Sequence, residues 1–221
     1  MCGRFTLRNP RGHAWLAATP DELGAPRYNI APSQPLVAVA RDREGRRVVR
    51  GVDWGFRPQW LTGNRKAPIN ARAEGLADKP MFRRAFAVGR CLIPADGWYE
   101  WQAREEGPKQ PCFFHRPDDD VFWFAGIAAR DADGRANAAV ITRPSASAFA
   151  AVHERMPAVL RDDDAAAQWI QPDAAREQLL ELLMPGSPKP RDDALGLEMI
   201  PVSRAVNRVS NDGPELVKAV E

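Results

Sequence analysis

Short strand-like runs recur along this chain, and most are stopped by Gly, Pro or Asp within a few residues. They fall at residues 36–41, 46–52, 90–93, 97–101, 112–115, 121–127, 137–142 and 195–202. Such spacing leaves room only for short helices between strands. The helical candidates are residues 10–19, 80–88, 147–152, 162–170 and 173–184. Pro80 and Gly89 bracket the second, acidic residues open the last two, and Pro185-Gly186 ends the last. Two hairpins are predicted, one around Glu44-Gly45 and one joining 112–115 to 121–127 across Pro117-Asp118-Asp119-Asp120. Residues 26–32 hold Pro26 and Pro32 and must be largely extended. Strands interrupted by helices, with no repeat and no linker, predict an α+β fold in a single domain over residues 1–221.

The first six residues, Met1-Cys2-Gly3-Arg4-Phe5-Thr6, carry the most distinctive chemistry. A small second residue permits removal of the initiator Met, which would leave Cys2 with a free α-amine beside its thiol. An α-amine titrates at about 7.7–8.0, so a sizeable fraction is unprotonated near neutrality, unlike a Lys amine at about 10.4. Such an aminothiol condenses with an aldehyde to an imine, and the sulfur then closes a five-membered ring. Arg4 adds a fixed cation suited to a phosphate or carboxylate. The plainer reading is a Cys in a frayed terminus.

Charge is unevenly spread. The net of +2 divides into +8 for residues 1–110, with 19 Lys+Arg against 11 Asp+Glu, and −6 for residues 111–221. A basic first half favours a polyanionic partner; biased composition is the alternative. Three Cys without paired spacing suggest neither a disulfide framework nor a zinc site. No apolar run is long enough to cross a bilayer, and no signal peptide is visible. A reduced, cytoplasmic protein without cofactor or metal is expected.

Other candidates lie along the chain. Trp54-Gly55-Phe56-Arg57-Pro58-Gln59-Trp60 interleaves aromatics with Arg, a pattern that stacks on bases when exposed and builds core when not. If residues 69–73 are extended, Asn70 and Arg72 share one face, an amide and a guanidinium matched to a sugar-phosphate. Glu100 sits between Tyr99 and Trp101, where burial would raise its pKa and suit it to proton transfer; on an edge strand it would face water. His153 falls at an element end, where catalytic groups are often placed. His115 reads as an ordinary surface residue.

Taken together these pieces resemble the SRAP family (SOS response-associated peptidase, or abasic-site processing proteins). The matching motifs are Met1-Cys2-Gly3-Arg4-Phe5, Tyr28-Asn29-Ile30-Ala31-Pro32, Trp54-Gly55, Ile69-Asn70-Ala71-Arg72-Ala73-Glu74, Arg90-Cys91-Leu92-Ile93-Pro94, Gly97-Trp98-Tyr99-Glu100-Trp101 and His153-Glu154-Arg155-Met156-Pro157. A weaker echo follows in Val202-Ser203 and Val206-Asn207. The resemblance implies a curved, partly closed, barrel-like mixed β-sheet flanked by helices. It implies covalent capture of abasic sites in single-stranded DNA by a monomer, with Cys2 as nucleophile and Asn70, Glu100 and His153 as catalytic neighbours. It also implies phosphate contacts from Arg4, Arg72 and Arg155, and a DNA groove lined by Trp54, Trp101 and Thr142. One departure is Leu61, where relatives often carry a second Trp. Strand cleavage by β-elimination and self-removal of Met1 are further activities the resemblance suggests. Two rivals use the same residues: a Cys peptidase or amidase with an N-terminal nucleophile, and a non-covalent single-strand-binding module.

Overall fold

The chain crosses between two sheets at Asp96, and that crossing sets where its N-terminus lies. The computed structural model describes residues 2–63, 66–145, 149–184 and 195–220; Met1 lies outside them. In chain order the strands begin with β1 (Phe5–Leu7), β2 (Arg27–Ile30), β3 (Pro35–Arg41), β4 (Arg47–Trp54), β5 (Asn70–Arg72), β6 (Arg90–Ala95) and β7 (Gly97–Gln102). They continue with β8 (Gln110–His115), β9 (Phe122–Arg130), β10 (Ala136–Pro144), β11 (Arg155–Pro157), β12 (Val159–Leu160) and β13 (Glu198–Pro201). The helices are α1 (Arg83–Val88), α2 (Asp163–Trp169) and α3 (Arg176–Leu183).

One sheet is antiparallel, in the order β13-β8-β7-β1-β2. The other runs β11-β10-β4-β3-β6-β9-β12, and a further β9–β10 pairing closes β10-β4-β3-β6-β9 into a ring. It is mixed, because β10 runs parallel to both β4 and β5. Helices α1 and α2 pack against β6 and β9. This is the α+β, curved and partly closed sheet that the resemblance implied.

Local chemistry explains the element ends. Asp162 caps α2 by accepting from the Ala165 N–H (2.8 Å), with Asp163 and Asp164 in the positive first turn. Gly45, at φ +77°, turns the β3–β4 hairpin.

Several boundaries differ from expectation. The predicted hairpin of 112–115 with 121–127 does not exist: β8 pairs with β7 and β13, whereas β9 pairs with β6, β10 and β12. Most of both strands is buried on both faces, so no polar alternation marks their partners. The stretch 10–19 contains only a 3-10 turn, Ala14–Leu16, and helix 80–88 begins at Arg83. The last helix begins at Arg176, and the last strand is confined to Glu198–Pro201. Phe149–Val152 form a turn; residues 146–148 and the predicted stop at Pro185-Gly186 lie outside the described residues.

At the crossing from β6 to β7, Gly97 admits no side chain, since a Cβ there would lie 2.2 Å from the Phe113 ring. The buried Asp96 carboxylate accepts from Thr6 Oγ1, from the Arg8 backbone N–H and from Arg8 Nε (3.0 Å). These bonds fix β1 between β2 and β7, where Phe5 pairs with Ile30 and Trp98 and packs edge-on against Trp54 and Phe124. Cys2, just ahead of this strand, is fully buried. Asp96→Ala would strand these donors, so we expect it to cost about 2–4 kcal/mol in denaturant unfolding. Because β1 carries Cys2, thiol-reagent labelling of Cys2 should also become faster.

Candidate functional site

Cys2 lies where the two sheets meet. It precedes β1, is fully buried, and its carbonyl accepts from Asn70 Nδ2 at 2.8 Å. Asn70 opens β5, which pairs with β10 at the edge of the second sheet. Strand alternation turns Ala71 inward and leaves Arg72 exposed on the Asn70 side, as the extended reading of 69–73 required. The other end of the Asn70 carboxamide, Oδ1, is buried without a hydrogen-bond donor among the described residues.

Glu100 reaches the same place from β7. The Tyr99 N–H donates to the Arg4 carbonyl (3.0 Å), which sets Glu100 alongside the chain segment carrying Cys2. Glu100 is 3% exposed, and burial raises its pKa from 4.5 to about 7, against a smaller opposing pull from Lys109. Burial, reinforced by the nearby Glu100 charge, also raises the Cys2 thiol well above its ordinary value. The sulfur is thus a neutral thiol at physiological pH, not the thiolate that the ring-closing chemistry first suggests.

His153 comes from the turn before β11. Its Nδ1 accepts the Arg155 backbone N–H at 3.0 Å, so in the neutral ring the proton sits on Nε2. Burial lowers its pKa, with Lys109 among the lesser causes. Lys109 is exposed, and its charge acts weakly on both Glu100 and His153.

The remaining candidates divide. Arg72 is exposed. Arg4 is half-buried and donates to Asn29 Oδ1 (3.0 Å) and the Val206 carbonyl (2.7 Å). Trp101 is half-buried and donates through Nε1 to Asn207 Oδ1 (2.7 Å). Three expectations need correction. Trp54 has no exposed surface and donates to the Ile69 carbonyl (2.9 Å), so it is core and does not line a groove. The exposed aromatic of that loop is Trp60, while Leu61 is buried. Thr142 is also fully buried; its carbonyl and hydroxyl both accept from Arg155. Arg155 is 6% exposed and forms a two-pronged ion pair with Glu74, whose pKa it lowers. It braces the β5–β10–β11 edge and, through its backbone, the His153 ring; it is not a free phosphate contact.

Comparisons with known proteins cover all or nearly all of the chain and bear on family and fold. A profile described as SOS response associated peptidase (SRAP) matches residues 1–209. The chain belongs to the SRAP family. It is 32% identical to the abasic site processing protein YedK of Escherichia coli (strain K12), with all of both chains covered. It is 31% identical to the abasic site processing protein YoqW of Bacillus subtilis (strain 168), covering 99% of this chain and 100% of the relative. A crystal structure of a protein from Bacteroides thetaiotaomicron shares the fold, with TM-score 0.82, 20% identity and full coverage of both chains.

Reading single residues of this SRAP chain missed Asn29, Glu74 and Asn207. Asn29, Glu74 and Asn207 stand inside quoted motifs, yet their partners lie up to 183 residues away.

The electrostatics lead to three expected outcomes. Glu100 has a raised folded-state pKa, so its contribution to stability is fully present below about 4.5 and is lost as pH rises through about 7. The rise corresponds to about 3 kcal/mol. Glu100→Gln should therefore be more stable than wild type above pH 7, by up to about 3 kcal/mol, with that advantage gone at pH 4; denaturant unfolding across pH checks it. Arg155→Ala should cost about 2–3 kcal/mol, below the range for a fully buried pair because the Glu74 side chain is 41% exposed. Arg72→Ala should leave the thermal midpoint unchanged and instead flatten the salt dependence of DNA binding.

Proposed function

We propose that residues 1–221 act as a single SRAP-like domain that recognises abasic sites in single-stranded DNA and captures them covalently through Cys2 once Met1 is removed. The observation that carries this reading is Asn70 holding the buried Cys2 main chain by one end of its carboxamide while the other end has no donor among the described residues. Loss of Met1 would leave a free amine on Cys2, the residue whose carbonyl Asn70 holds. The names of the relatives, abasic site processing proteins, point to the same lesion.

The chemistry follows from the proton inventory. A ring-opened abasic deoxyribose presents an aldehyde. The Cys2 amine adds to it, and the carbinolamine loses water to give an imine. Protonated Glu100, at about 7, supplies the proton that departs with that water. The species left by that loss of water is the protonated imine; the Cys2 sulfur bonds to its carbon, the C=N pair moves onto nitrogen, which keeps its N–H, and the thiol proton passes to the Glu100 carboxylate and regenerates the acid. The product is a thiazolidine, and no electron donor or acceptor is consumed. A thiol held neutral by burial makes the amine the first nucleophile, which sets the order of steps. His153, with its proton on Nε2, donates to the sugar oxygen. The imine also acidifies the adjacent sugar carbon, so β-elimination is the accompanying lyase route. Arg72 and the surplus charge of residues 1–110 supply the salt-dependent attraction to phosphates. A Cys peptidase acting on its own N-terminus is the second reading; the family description favours it.

Intact mass spectrometry before and after mixing with abasic single-stranded DNA tests the proposal. Reactive protein should lack Met1, and Cys2→Ala should give no stable adduct. A crosslinking protein that retains Met1 overturns the mechanism. At saturating DNA, Glu100→Gln should react about 10²–10⁴-fold more slowly, and its rate profile should lose the alkaline limb near pH 7. A wild-type rate from that variant removes Glu100 from the chemistry.

A further inference from the structure

The Val206-Asn207 piece has no part in the chemistry above, yet the fold ties it to two candidate DNA residues. It ends a 3-10 turn, Arg204–Asn207, and the segment from there to Asp212 is clasped by the fully buried Asn29. Asn29 Nδ2 donates to the carbonyls of Val206 (3.1 Å), Arg208 (3.1 Å) and Asn211 (2.8 Å), while its Oδ1 accepts from Arg4. Asp212 accepts the backbone N–H groups of Tyr28 (2.5 Å) and Asn29 (2.8 Å) and pairs with Arg27. A segment some 180 residues away in sequence is thereby fixed against β2 and, through Arg4, against the strand that carries Cys2.

Asn207 sits at the exposed tip of this clasp. Its side-chain Oδ1 accepts the Trp101 indole N–H (2.7 Å), and its carbonyl lies 3.4 Å from Arg4 Nη2. Trp101 adjoins Glu100, and Arg4 lies two residues from Cys2. A half-exposed Trp or Arg samples several rotamers, and freezing one on DNA arrival costs affinity.

We propose that Asn207 is a positioning residue of the DNA-binding site: it holds the Trp101 ring and the Arg4 guanidinium in the orientation that receives a single strand, which makes residues 203–212 a working part of the site. This rests on the reading of the site as a single-strand groove. The clasp pre-orders both side chains before DNA binds, and Asn207 adds no charge of its own.

The test is fluorescence anisotropy of full-length protein with a single-stranded oligonucleotide carrying a reduced, aldehyde-free abasic site. This separates positioning from covalent capture, which the wild type with an aldehyde-bearing oligonucleotide reports in parallel. Asn207→Ala should weaken binding about 2- to 10-fold, the worth of one ordering hydrogen bond, with an unchanged salt slope and thermal midpoint. Trp101→Phe keeps an aromatic ring, though smaller than the indole, and loses the donor; it should weaken binding by at least a similar factor. The double variant should be no weaker than the weaker single one, because both remove the same bond. Unchanged affinity in Asn207→Ala, additive losses in the double variant, or a loss that follows a lowered thermal midpoint overturns the proposal. A flattened salt slope also overturns it, since that marks a phosphate contact. Wild type that binds but forms no adduct overturns the covalent function alone, and wild type that binds no single strand overturns both.

Discussion

The burial of Cys2 and of the strand that follows it is the constraint on which this structure depends. Chain ends normally fray, because little holds them against their entropy. Here β1 is an interior strand of its sheet, and Asp96 gathers Thr6 and Arg8 onto one buried carboxylate. Asn70 then reaches from the second sheet to the Cys2 carbonyl. The two sheets are therefore joined at Cys2, and movement of one against the other would displace Cys2 from its neighbours.

Burial also sets the protonation of the site. Removal from water is the largest cause of the shift at Cys2, Glu100 and His153, and in each it favours the uncharged form. A thiol, a carboxyl balanced near neutrality and a neutral imidazole result. Groups in those states exchange protons readily near pH 7, and only one of them is poised there to act as both acid and base. The raised Glu100 pKa is also a strain on the fold above neutrality, the usual trade between stability and a working site.

The arginines show how a shared residue type divides by context. Arg155 is consumed by Glu74 and Thr142 and stiffens the strand edge beside His153. Arg4 is partly consumed by Asn29 and the C-terminal segment. Arg72 alone of the three is exposed, because it follows the inward-facing Ala71 in a short strand. Counting arginines in motifs would treat all three as phosphate ligands; their partners separate them.

Much was legible in the sequence, for local reasons. Proline and glycine stops marked most strands, Asp162 marked the start of α2, and the spacing of Asn70 and Arg72 put them on one face. The apolar flanks of Glu100 left burial with a raised pKa and exposure on an edge strand both open, and the fold decided for burial. What needed the tertiary structure was every statement about partners. β8 and β9 are adjacent in sequence and look like a hairpin, yet they enter different sheets. Trp54 and Thr142 sit in motifs that suggest a groove, yet both are sealed in the core. Asn29 meets a C-terminal loop that no local pattern connects to it. Periodicity and turn residues act over a few positions, so the sequence alone determined elements and candidate chemistry. Which strand, carboxylate or carbonyl each residue meets depends on contacts between distant segments, and only the folded chain decided those.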